Sequence, residues 1–75
     1  MDGVMERKPV KSSAIKSIGH DAEKNILEVE FHSGQVYQYH GFTADHIAEF
    51  QRQESIGGHF GKHIAGKFKH TKAGE

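Results

Sequence analysis

The run Ile26-Leu27-Glu28-Val29-Glu30-Phe31-His32 constrains this chain more than any other feature. Leu27, Val29 and Phe31 alternate with Glu28, Glu30 and His32. Successive side chains of a strand point to opposite faces, so the pattern predicts a strand with one packed face and one wet face. Ser33-Gly34 follows, and then Val36-Tyr37-Gln38-Tyr39. A three-residue loop, His32-Ser33-Gly34, with Gly34 in the left-handed conformation, turns the two segments into a hairpin. That register sets Phe31 opposite Gln35, Val29 opposite Tyr37 and Leu27 opposite Tyr39. A two-residue loop at Ser33-Gly34 is the alternative. It pairs Phe31 with Val36 and turns both tyrosines to the other face. The first register keeps more apolar side chains together and is preferred; the second stays open.

The flanking segments extend this unit. Val10 to His20 holds Ile15 and Ile18 among serines and lysines and reads as a strand of imperfect period. Asp21 to Asn25 is rich in turn-compatible residues and forms the connection. Gly41-Phe42 closes the third strand. Thr43 is a good helix cap, with Asp45 in the favourable first turn. Ala44, Ile47, Ala48 and Gln51 share one helical face, with Phe50 at its edge. Ser55 caps a second, shorter helix in which Ile56, Phe60 and Ile64 recur every fourth residue. Gly57, Gly58 and Gly61 weaken that helix by up to about 1 kcal/mol each relative to Ala and allow close approach of another group. Phe68 is a last anchor on the sheet. The expected fold is α+β, a three-stranded antiparallel sheet in β-β-β-α-α order with two short helices packed on one face. Residues 1–9 are expected to be a flexible N-terminal segment, 10–68 a single domain, and 69–75 a flexible basic tail.

Length and composition narrow the chemistry. With 75 residues, the chain makes one domain that buries roughly 60% of its unfolded surface, with little room for a large enclosed cavity as well. Cysteine is absent, which excludes disulfides, a thiolate nucleophile and Cys-based zinc sites. No run of 18 apolar residues and no hydrophobic leader occurs, so a cytoplasmic protein without a membrane partner is expected. Lys plus Arg and Asp plus Glu both number 10, yet they are unevenly placed. Gly57 to Gly74 holds no acid, while Lys62, Lys67, Lys69 and Lys72 alternate there with His59, His63 and His70. Such a patch attracts phosphate backbones.

Catalytic and metal constellations are incomplete. The serines at 12, 13, 17, 33 and 55 lie outside any nucleophile-elbow pattern. Glu28 and Glu30 match a general acid–base pair only in the sense that they share the wet face of a strand. His59 and His63, four apart, share a helical face and suit Zn, Ni or Cu, but a structural zinc site needs four ligands. Ile56 to Lys62 has glycines and a lysine without the spacing, hydroxyl and preceding strand of a nucleotide loop. No catalytic residue, metal or cofactor is expected.

Three segments in order carry a family resemblance. Ser12-Ser13-Ala14-Ile15-Lys16-Ser17-Ile18-Gly19-His20-Asp21 comes first. Leu27 to Gly34, leading into Val36-Tyr37-Gln38-Tyr39 with its Tyr-x-Tyr motif, is second. Gly58-His59-Phe60-Gly61-Lys62-His63-Ile64-Ala65-Gly66-Lys67-Phe68 is third. Together they resemble the KTSC domain, named after the C-terminus of certain lysyl-tRNA synthetases and also occurring as a stand-alone small bacterial protein. The resemblance spans Ser12 to about Phe68 and implies an RNA-binding role by analogy with the synthetase fusion. The family's closing aromatic, often Tyr, is Phe68 here. Gly61 stands where Asn is common. Both changes remove hydrogen-bonding groups.

The expected function is a non-catalytic RNA-binding domain, with tRNA as the ligand suggested by analogy. Tyr37 and Tyr39 would stack on or hydrogen-bond to bases, Lys62, Lys67 and Lys69 would meet phosphates, and His63 would assist when protonated. The preferred hairpin register opposes part of this, because it turns the tyrosines toward the core. The alternative is a protein-interaction or self-association module acting through the edge of the third strand or an exposed aromatic surface.

Overall fold

A computed structural model describes residues 7–73. The hairpin sits at its centre. The amide of Phe31 donates to the Gln35 carbonyl at 2.9 Å, and Gly34 donates back to the Phe31 carbonyl at 2.9 Å. Gly34 takes a φ of 99°, which a Cβ would strain. Strands β3 (Ile26–Phe31) and β4 (Val36–His40) therefore pair Val29 with Tyr37 and Leu27 with Tyr39, the three-residue-loop register.

β2 (Ile15–Asp21) lies on the other side of β3, with Ile18 opposite Val29 and His20 opposite Leu27. The register shifts between Ile15 and Ser17. This bulge explains the imperfect period of the segment. One extra residue lets Ile15 and Ile18, three apart, both reach the core, while Ser17 turns to the opposite face.

Among the described residues the sheet has five strands, not three. β1 (Lys8–Pro9) pairs with β2, and β5 (His70–Ala73) pairs with β4 across four residues, Val36↔Ala73 through Tyr39↔His70. Residues 8–9 and 70–73, expected in a loose N-terminal segment and a loose tail, are strands; residues 1–6 and 74–75 lie outside the described residues. The edge of the third hairpin strand, expected to be open for pairing, is covered by β5. Backbone ladders are indifferent to side chains, and β5 carries no apolar alternation for a sequence reading to find. Its specific anchors are the His40 amide donating to the Lys69 carbonyl at 2.8 Å and the His70 ring stacked 5.0 Å from Tyr39.

Two helices cover one face of the sheet. α1 (Ala44–Gln51) begins with Thr43, whose hydroxyl accepts from the His46 amide while His46 Nδ1 accepts from the Thr43 amide at 3.0 Å. This is a capping box with imidazole in the usual Glu or Gln position. The packed face of α1 differs from the expected one. Phe50 is fully buried and Ile47 half-buried, whereas Ala44, Ala48 and Gln51 are exposed. α2 (Ile56–His63) is capped by Ser55, whose hydroxyl accepts from Gly58 at 3.1 Å. Its Ile56 and Phe60, followed by Ile64, complete a core with Ile15, Ile18, Leu27, Val29, Tyr39, Phe42 and Phe50. Among the described residues, no helix lies on the other sheet face. There Gln38 donates to Glu28 at 2.9 Å, Ser17 donates to Glu30 at 3.0 Å, and Arg7 pairs with Glu28.

Candidate nucleic-acid interface

The α2 helix determines where the basic residues point. With Ile56 and Phe60 turned into the core, His59 and His63 fall one turn apart on the flank facing α1. Their ring centroids are 4.7 Å apart, and the His59 ring stacks on Phe50 at 5.6 Å and 29°. His46, fixed by its capping role, packs its ring on Phe42 and Phe68 at 5.3 and 5.1 Å. These groups line a cleft of about 470 Å³ together with Glu49 and Lys67. The cleft opens into a shallower hollow that shares His59 and His63 and adds Arg52 and Lys62.

The charges of this surface are mostly positive. Its acids are Glu49 and Glu54, and Arg52 holds Glu49 at 3.2 Å. Burial keeps the His59 pKa below the ordinary imidazole value, the neighbouring His63 lowers it further, and Glu49 acts in the opposite sense. Burial and His63 thus both favour the neutral form of the His59 ring. Among the described residues, no group of three or more His, Cys, Asp or Glu side chains is arranged to hold a metal ion.

The expected site residues separate into two groups. Lys62, His63 and Lys67 converge on the α1–α2 cleft and its outer hollow. Lys69 is exposed just before β5, and its carbonyl is taken up by the sheet. Tyr39 is only 4% exposed, with its ring against Phe60 and His70, so it offers no free face to a base. Tyr37 is half-buried between Phe31 and His70 and donates to Gln35 at 3.4 Å. Sequence reasoning missed His46 and Arg52. The spacing of His59 and His63 was the available signal for the cleft, whereas His46 reaches it only through helix packing. The carboxylates Glu28 and Glu30 serve as hydrogen-bond and ion-pair anchors on the open sheet face, away from this cleft.

The KTSC domain family model matches residues 11–68. The chain belongs to the KTSC domain family. It is 39% identical over 56 residues to an uncharacterised protein of Stutzerimonas stutzeri, covering 75% of this chain and 79% of that one. It is 36% identical over 59 residues to a lysine–tRNA ligase of Nostoc punctiforme, covering 79% of this chain and 10% of the ligase. The crystal structure of a KTSC domain protein from Yersinia pestis superimposes with a TM-score of 0.87 at 40% identity, covering 95% of this chain and 100% of that one. No helix among the described residues is long and apolar enough to cross a membrane.

Proposed function

We propose that this KTSC domain is an RNA-binding module of the cytoplasm that meets the phosphate backbone at the α1–α2 cleft. The observation that carries the reading is the convergence of Lys62, His63 and Lys67 with His59 on one surface, where Arg52 offsets Glu49 and Glu54 is the remaining acid. A relative that carries the same domain within a lysine–tRNA ligase supports RNA as the ligand class and tRNA as the first RNA to try. The tyrosines take no part in base stacking in this reading: Tyr39 holds the core together, and Tyr37 braces β5 through His70. Lys69 adds a peripheral phosphate contact. β5 covers the edge of the third strand and becomes the outer strand in its place.

Fluorescence anisotropy with labelled tRNA and an unstructured RNA tests the reading. Binding at roughly 10 μM or tighter in low salt is expected, and three phosphate contacts to single strands give a log–log salt slope of about −2. The double substitution Lys62→Ala/Lys67→Ala weakens binding about tenfold or more and flattens that slope. No binding up to about 100 μM at low salt contradicts the reading and directs the search to a protein partner.

A further inference from the structure

His59 and His63 hold their rings 4.7 Å apart, tilted by 35°. Two neutral imidazoles tolerate that spacing. Two imidazolium ions repel each other there unless an anion lies against both. Stacking on Phe50 fixes the His59 ring, so the pair has little freedom to separate on that side. The groups facing the pair come from every element around it: His46 and Glu49 from α1, Arg52 and Glu54 from the connection, Lys62 from α2 and Lys67 beyond it. Glu49, shared with Arg52 at 3.2 Å and Gln53 at 3.4 Å, offsets part of the charge on His59, but one carboxylate does not neutralise two imidazolium ions.

We propose that His59 and His63 form a phosphate subsite that fills as the two rings take up protons, so that this cleft binds a nucleic-acid backbone more tightly as pH falls. The choice of RNA as ligand rests on the reading above; the anion subsite does not. A phosphodiester oxygen at the edge of the pair, reached by one N–H of each ring, turns their mutual repulsion into two charge-assisted hydrogen bonds. Linkage makes the effect reciprocal: the anion raises the affinity of both rings for protons by the same factor that protons raise the affinity for the anion. Burial and His63 keep His59 below its ordinary pKa in the free protein, and a bound anion acts in the opposite direction. Lys62 and Lys67 supply the pH-independent part of the attraction.

A short oligouridylate, whose charge is constant between about pH 5.5 and 7.5, is the first probe. At fixed ionic strength its Kd is expected to tighten about tenfold across that range. His63→Gln, at an exposed position, reduces the change to about twofold. His40→Gln on the opposite sheet face retains it in full. Imidazole NMR titrations of His59 and His63 move to higher pKa in the presence of the oligouridylate. Sulfate is the second probe, and an upward move of both rings with sulfate alone supports the subsite even where the RNA fails to bind. Salt-sensitive RNA binding that is flat with pH overturns the subsite and leaves the RNA reading standing. So does a pH response that survives His63→Gln. Rings unmoved by either probe overturn the subsite outright.

Discussion

Tyr39 and His59 show how single residues divide the work between core and surface. Tyr39 belongs to the core: burial, and then Tyr37, push its phenol above the ordinary value. Tyr39→Ala removes a buried ring and should cost about 3–5 kcal/mol in urea denaturation, whereas Tyr39→Phe, which keeps the ring, should cost less than about 1.5 kcal/mol. Neither the phenol nor its loss should alter RNA affinity in the Phe variant. His59 gives the opposite kind of signal. Its folded-state pKa is depressed, so its contribution to stability is present above the ordinary imidazole pKa and is lost as pH falls through the lower folded value. Thermal melts should therefore show a Tm that declines on acidification below about pH 6.5, and His59→Gln should reduce that decline. A bound anion should offset it in the wild-type protein.

At the scale of elements, α2 makes two contrasting demands on its glycines. A Cβ at Gly57 would lie 2.9 Å from Ser12 Oγ, and that hydroxyl is held in place by the Ala14 and Ile15 amides at 3.2 Å. A Cβ at Gly61 meets nothing within 4 Å. Gly61→Ala should therefore stabilise the protein by about 0.5–1 kcal/mol through helix propensity, while Gly57→Ala should lose that gain or destabilise. Chemical denaturation of the two variants checks the pair. The elements also differ in how far the sequence revealed them. β3, β4 and their Gly34 turn were legible because alternation and turn chemistry agree there. The caps Thr43 and Ser55 were legible for the same kind of reason. β2 was blurred because a bulge breaks its period. β5 was hidden because its four residues, His70 to Ala73, are mostly exposed and are held by a ladder and by ring contacts from β4. In the cleft, the spacing of His59 and His63 was readable, but the arrival of His46 depends on how α1 packs, which no local pattern encodes.

The whole molecule is a sheet with one dry face, one polar face and a cationic cleft between the covering helices. Its edges suit a monomer. β1 is two residues long and ends in Pro9, and β5 carries Lys72, features that blunt strand addition. Light scattering should give a mass near 8.4 kDa, and a stable dimer would favour the self-association alternative instead. The zero formal net charge at pH 7 means that RNA affinity must come from local placement of cations, so binding should be confined to the cleft side. A backbone amide chemical-shift map during RNA titration tests that claim most directly. Shifts should concentrate at His46, His59, Lys62, His63 and Lys67, with Ser17, Glu28, Glu30 and Gln38 on the open sheet face unmoved. Shifts centred on the open face or along β5, or no shifts at saturating RNA, would contradict it.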